Sequence, residues 1–421
     1  MDCLPVAKEP ACQRFLVDPQ VNWLFRRLRC LPNWRRDAIN IITSVDYNCQ
    51  GRASRPHLIS NKKGLTVSRF QILSLIGGGI RGAFVTSYLK ELEQKLGRPI
   101  ADSFDLIAGT STGGIIAAGL AFGHSAERMH KFYVDYGASI FTERGPYKAK
   151  GIYRYMYPTV NWLFKKKTGG VLDSAFRARY SPDALETSFD EGFGENTLGD
   201  IHCTRLIMPA VNLTKGEPHV FRSTHLPVAV PDKDIKIAEA IIATTAAPTY
   251  FPHRQIGENA YVDGGVWAAD PSMLAIAEAI RIQKFLQQYD PDAPIVTDDI
   301  HLLSVGTGRA EFSMSPLGPD AGLLFWASRI ADVMGTSQSQ GVHLPLKFFL
   351  GDRYRHVNFK MTEKWPLDGV ENIPKLFEVG EKRAAETFDV INEEFFVHET
   401  PCFVPFQSTE QAYSLENFGV D

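Results

Sequence analysis

Three short stretches carry residue types that do chemistry at their spacing. Leu73 to Phe84 reads LSLIGGGIRGAF, and Gly77, Gly79 and Gly82 satisfy G-x-G-x-x-G. Such a turn suits a phosphate or another anion, because glycines let backbone N–H groups approach it closely. A dinucleotide site also needs an acid about twenty residues on, at the end of the next strand. Here Asp102 and Asp105 precede the strand FDLIAG, and GTSTGG (residues 109–114) follows it. The ribose-binding acid is missing from its place, which leaves a nucleotide-dependent oxidoreductase as the weakest reading.

Gly109, Ser111 and Gly113 form G-x-S-x-G between a strand and a helix, the context in which a serine is held on a strained turn with its hydroxyl projecting from the sheet edge. The helix that follows adds positive potential where an oxyanion would form. Acyl transfer needs backbone N–H groups there, and Gly77, Gly78 and Gly79 are the expected donors, with Arg81 near enough to support negative charge or hold the loop. A serine nucleophile also needs a base. His301, His343, His356 and His398 sit in no recognisable loop signature and are expected to be structural. Asp263, in YVDGGVWAADP, ends a short apolar strand ahead of Gly264 and Gly265. A carboxylate can act directly as the base if held within hydrogen-bond reach and raised in pKa by burial. Taken alone, this segment reads as an ordinary Asp-Gly turn.

The elements that must position these residues begin at Phe70. Strands are expected at 70–75, 104–109, 205–211, 219–223 and 301–307. Helices are expected after each of the first two strands, from Asp270 as N-cap with Pro271 at the first turn, and over about 373–396. Strands alternating with helices predict an α/β fold with a mostly parallel central sheet flanked by helices on both faces. Residues 1–68 lack periodicity and are read as a basic N-terminal extension. Residues 145–200, rich in aromatics, lysine and glycine, are a candidate lid or insertion.

Charge is unevenly spread. The net −3 of the chain divides into +7 over residues 1–69 and −10 over the rest, a basic front on an acidic body suited to meeting an anionic surface. The total argues against binding to a nucleic acid polymer. Six cysteines, at 3, 12, 30, 49, 203 and 402, show no zinc-like spacing and are expected to be reduced thiols. The N-terminus does not read as a secretory signal, and the most apolar window, 113–123, is too short to span a bilayer. A cytoplasmic protein with peripheral membrane contact is expected. For that contact, PQVNWLFRRLR and PTVNWLFKKK pair Trp23 and Trp162 with basic residues, as interfacial segments do. The competing reading is that both are helix ends with an apolar face turned inward and basic residues near the C-terminus.

In this order, GGGIRG, GTSTGG and DGG resemble the patatin-like phospholipases, whose acyl hydrolysis uses a serine–aspartate dyad without histidine. AIIATTAAPTYFP (240–252), LLSVGTG (302–308), FFLGDRYRHVNF (348–359) and LFEVGEKRAAE (376–386) are similar to family segments, so the resemblance spans roughly residues 70–396. It implies a three-layer catalytic domain over 69–397 with a tail at 398–421, Ser111 as nucleophile, Asp263 as base, and an oxyanion loop at Gly77, Gly78, Gly79 and Arg81. It implies no metal or cofactor and a phospholipid substrate at a membrane surface. Some bacterial members are held inactive until a cyclic dinucleotide binds and then degrade host membrane in antiphage defence, so such an activator is a further implication. Two departures stand out: Ile76 replaces an aspartate common before the glycines, and Asp270 replaces an asparagine before Pro271. The competing readings are another ester substrate (galactolipid, triacylglycerol or soluble ester) and a non-catalytic lipid-binding scaffold. Homo-oligomerisation is compatible with all of them.

Overall fold

A computed structural model of the chain describes residues 69–143, 159, 162, 177–289, 299–310, 330–361, 363, 365–400, 403 and 405–406. The extension 1–68 and the larger parts of the 145–200 insertion and of the tail lie outside the described residues.

The centre is an eight-stranded sheet in the order β5-β6-β3-β2-β1-β7-β9, with β4 also paired to β3. β1 (Phe70–Leu75), β2 (Leu106–Gly109), β3 (Arg205–Asn212), β7 (Ile300–Val305) and β9 (Tyr354–Val357) are parallel neighbours. β4 (Glu217–Arg222), β5 (Arg254–Ile256) and β6 (Asn259–Asp263) add antiparallel pairings at one side. A two-stranded parallel pair, β8 (Arg309–Ala310) with β10 (Lys360–Met361), lies beyond β7 and β9 in the chain. The strands expected from the sequence are present within one to two residues of their expected starts and ends.

Every residue of β1 is buried, as a strand covered on both faces requires. Leu73 and Leu75 join one apolar cluster while Phe70 and Ile72 join the other, the period-two division of a pleated strand. The first cluster is closed by α1 (Gly82–Leu96), α2 (Thr112–Phe122), α3 (Ala126–Ile140), α4 (Asp183–Phe193), α5 (Ile237–Thr245) and, after the short helix α6 (Gly265–Ala268), by α9 (Ile373–Phe395). The second is closed by α7 (Ser272–Tyr289) and α8 (Ile330–Leu350). The start of α7 is capped by Asp270, whose Oδ1 accepts the Ser272 N–H at 3.0 Å. No described helix is long and apolar enough to cross a membrane.

Candidate active site

β1 and β2 are parallel and in register, with Leu75 opposite Gly109, so the glycine loop and the Ser111 turn leave the sheet side by side. Ser111 has φ 55° and ψ −124°, a backbone conformation that is costly for a residue with a side chain and is held only by its surroundings. Its N–H donates to Thr244 Oγ1 at 3.2 Å, and Thr244 in turn donates to the Pro209 carbonyl at 2.6 Å. Beneath it, Thr110 Oγ1 donates to the Ala268 carbonyl at 2.7 Å. A Cβ on Gly113 would lie 2.2 Å from the Leu75 carbonyl oxygen, so the turn can pass the end of β1 only with glycine there.

The partner carboxylate arrives along the same lane of the sheet. One edge of β3 pairs with β4; the other pairs first with β2, where Ala108 faces Ile207, and then with β6, where Asp263 faces Ala210. β2 and β6 therefore run toward each other along a single edge of β3, their ends set apart by three β3 residues, roughly 10 Å. Ser111 fills the gap, and its Oγ donates to Asp263 Oδ2 at 2.7 Å across 152 positions of sequence. The chain then turns sharply away: a Cβ on Gly264 would lie 2.2 Å from the Pro209 carbonyl oxygen.

Asp263 is only 5% exposed. Burial pushes its carboxyl up to about 6, against the opposing effect of the Gly265 N–H on Oδ1 at 2.6 Å and of the Ser111 hydroxyl. A carboxyl poised there is ionised at neutral pH yet basic enough to take a proton, the condition for a general base.

The glycine loop is held from outside. The Gly77 N–H donates to the Ala269 carbonyl at 2.9 Å, so it is turned away from the cavity. The Gly78 and Gly79 N–H groups make no hydrogen bond among the described residues. Their directions follow from their carbonyl partners, because a trans peptide points C=O and N–H opposite ways. Thr307 Oγ1 donates to the Gly77 carbonyl at 2.8 Å and so aims the Gly78 N–H. The Arg81 N–H and Nε donate to the Gly78 carbonyl at 3.2 and 3.3 Å and so aim the Gly79 N–H. The Arg81 side chain is half-buried on the cavity wall, its guanidinium beside Asp332 at 3.8 Å. Its Nε and backbone N–H are committed to the loop carbonyl of Gly78.

Ser111, Asp263 and the loop line a cavity of about 630 Å³. Both non-glycine residues with positive φ among those described, Ser111 and Thr249, lie on its wall. His343 and His356 also line it, but His343 bonds Tyr354 and His356 bonds Ser304, and neither bonds Ser111. His301 is engaged by Arg69 and Asp299, and His398 lies beyond the final helix. Of the two tryptophans singled out, Trp162 is 61% exposed and Trp23 lies outside the described residues. Thr244 and Thr307 fall in the family-like segments 240–252 and 302–308 and Ala269 in the stretch after Asp263, but only their contacts give them a part in the site.

Residues 73–276 match the patatin-like phospholipase family model, a span that includes the glycine loop, Ser111 and Asp263. A Vibrio cholerae protein named cGAMP-activated phospholipase is 35% identical over 258 residues, covering 59% of this chain and 67% of that one. An Escherichia coli protein of the same name is 31% identical over 347 residues, covering 79% and 87%. Patatin-like protein 4 of Arabidopsis thaliana is 30% identical over 262 residues, covering 57% and 60%. Likeness of that extent, laid over a strained serine that donates to a buried aspartate, places the chain in the patatin-like phospholipase family of lipid acyl hydrolases.

Proposed function

We propose that the protein cleaves fatty-acyl esters of phospholipids, in the manner of a phospholipase A, through Ser111 and Asp263. The observation that carries this reading is the 2.7 Å hydrogen bond from Ser111 Oγ to Asp263 Oδ2 on the wall of the cavity. Ser111 Oγ attacks the ester carbonyl carbon while its proton passes to Asp263. The carbonyl oxygen becomes an oxyanion that receives the Gly78 and Gly79 N–H groups. Collapse breaks the bond to the leaving alcohol, which takes the proton from Asp263 and leaves an acyl-Ser111 ester. Water then gives a proton to Asp263, attacks that ester, and releases the fatty acid with Ser111 restored. Thr307 and Arg81 are positioning residues for the two N–H donors.

The catalytic unit spans 69–397, with 1–68 as a basic extension that favours an anionic membrane surface, 145–200 as a lid or insertion, and 398–421 as a tail. Trp23 and Trp162 serve as membrane contacts, and the protein works in the cytoplasm. Activation by a cyclic dinucleotide is supported by the bacterial relatives named for activation by cGAMP. Adding that nucleotide to a vesicle hydrolysis assay tests it; equal rates with and without it remove the reading.

Labelling with a fluorophosphonate probe tests the nucleophile. The native chain is expected to be labelled and Ser111→Ala to be blank. A native chain that neither reacts with the probe nor releases fatty acid under any of these conditions would leave the non-catalytic scaffold reading in its place.

A further inference from the structure

The cavity that holds Ser111 is chemically two-sided. One wall, from α2, α3, α4 and the segment before β5, presents Ile115, Ile140, Phe141, Leu185 and Phe251. A second part of the wall, from the turn after β7, from α8 and from the β9–β10 segment, presents the cations Arg309 and Lys360 and the imidazoles of His343 and His356, together with Asp332 and Phe359. Thr307 links that second wall to the glycine loop through its bond to the Gly77 carbonyl. Ser111 therefore shares one cavity with an oily side and with a side that carries two cations.

The cationic side contains an arrangement that ordinary sheet pairing disfavours. Arg309 and Lys360 are direct partners on the parallel strands β8 and β10, so two like charges stand side by side. Paired strands lie about 4.8 Å apart, and like charges directly opposite one another destabilise a sheet. Both side chains are exposed while lining the cavity, which puts them where it opens.

The turn that carries Arg309 is built rather than loose. Asn358 Oδ1 accepts the N–H groups of Gly308 and Phe359 at 2.8 and 2.9 Å. That leaves its Nδ2 to donate to His356 Nε2 at 3.3 Å, which fixes His356 as a neutral acceptor there. The Arg309 N–H donates to the Phe359 carbonyl at 2.8 Å, and a Cβ on Gly306 would strike the Asn358 amide at 2.3 Å. The field from this wall is positive at both histidines: after burial, which is the largest cause, Lys347 and Arg309 lower His343, and His343 and Arg309 lower His356.

We propose that Arg309 and Lys360 form a phosphodiester subsite that holds the head group of the phospholipid while its acyl chain lies along the apolar wall. In a glycerophospholipid the phosphate stands only a few bonds from the scissile ester, so both ends can be engaged at once. The pair thereby selects phospholipids over neutral glycerolipids. This rests on the acyl hydrolase reading of Ser111. The same phosphodiester chemistry occurs in a cyclic dinucleotide, and the experiment separates the two sources.

The double variant Arg309→Gln/Lys360→Gln is assayed on phosphatidylcholine vesicles and on a short-chain nitrophenyl ester, with any activator at one fixed concentration. The expected result is a fall of roughly 10- to 100-fold in the ratio of the two kcat/KM values, the loss of two charge-assisted hydrogen bonds weakened by the exposure of both side chains. Lys360→Arg, which keeps the charge, should hold the ratio within about threefold of native, since exposed pairs tolerate such exchange. An unchanged ratio in the double variant overturns the proposal. So does loss of cyclic dinucleotide binding, measured by calorimetry in a Ser111→Ala background, with the ratio intact: the pair would then read the activator. Fluorophosphonate labelling of Ser111 in the double variant keeps failure of the subsite distinguishable from failure of the dyad.

Discussion

Two of the serine–carboxylate assemblies among the described residues differ sharply, and the one with the more familiar composition is the inert one. Ser223 Oγ bonds His225 Nδ1 at 2.9 Å, and His225 Nε2 bonds Glu278 Oε1 at 3.1 Å, a serine–histidine–acid chain in the order of a hydrolase triad. Yet Ser223 is fully buried, its Oγ also accepts the Leu206 N–H at 2.9 Å, and none of the three lines the cavity. Burial would raise the Glu278 carboxyl, but the His225 hydrogen bond and the Arg222 guanidinium at 3.0 Å outweigh it and bring it down to about 2. The Ser111 assembly has the opposite character. Its serine is strained and faces a cavity, and its carboxyl is raised to about 6 with no cation beside it. A low carboxyl locked to arginine ties a fold together; a raised one can accept a proton. Access and electrostatic setting separate catalyst from scaffold.

Paired substitutions put that contrast to the test. Ser111→Ala is expected to lower fatty-acid release by roughly 10⁴-fold or more with the fold intact, as loss of a nucleophile does. Ser223→Ala should leave kcat/KM within about threefold while costing about 1–3 kcal/mol of stability, because the Leu206 N–H and His225 lose a buried partner. Activity that followed Ser223 instead would invert the assignment.

Asp263→Asn is expected to cost roughly 10²–10⁴-fold in kcat, the usual range for a general base. The native rate should rise with pH through about 6 as Asp263 ionises, and the variant should lack that inflection. Stability should move the other way. Since folding raises this pKa from 3.8 to about 6, the folded state loses stability as pH climbs through that window, with the full cost present above it. Asp263→Asn should therefore be more stable than native at pH 8, by on the order of 1–3 kcal/mol in chemical denaturation.

Glu278→Gln should cost about 3 kcal/mol, because Arg222 is left without its carboxylate, with turnover per folded molecule unchanged. In the native protein the contribution of Glu278 is present above its ordinary value of 4.5 and is lost as pH falls toward about 2. Melting curves across that acid range, native against variant, should converge at the low end. The smallest effect expected is about tenfold in kcat for Thr307→Ala, with substantial rescue by Thr307→Ser, since only the hydroxyl aims the Gly78 peptide.

Much of this was legible along the chain. The apolar runs at 70–75 and 301–307 marked buried strands, and the Gly-x-Ser-x-Gly turn between a strand and a helix marked a serine held in strain. Asp270 before Pro271 marked a helix start. The glycine loop was legible as an anion site, but not which of its amides face the cavity, since the Gly77 N–H is taken by Ala269, a residue 192 positions later with no side-chain signature. The Arg309–Lys360 pair was equally hidden, because strand pairing between distant segments leaves no mark on either one.

The sequence by itself determined the local states: where the chain is extended, where it turns, and which residue on a turn must bear strain. Those follow from sterics and side-chain period within a few residues. Only the tertiary structure decided that β2 and β6 meet head-on along one edge of β3, and so that a serine and an aspartate 152 residues apart share a proton. Hydrogen-bond register between strands is a property of the assembled sheet, and it sets the distance on which the chemistry depends.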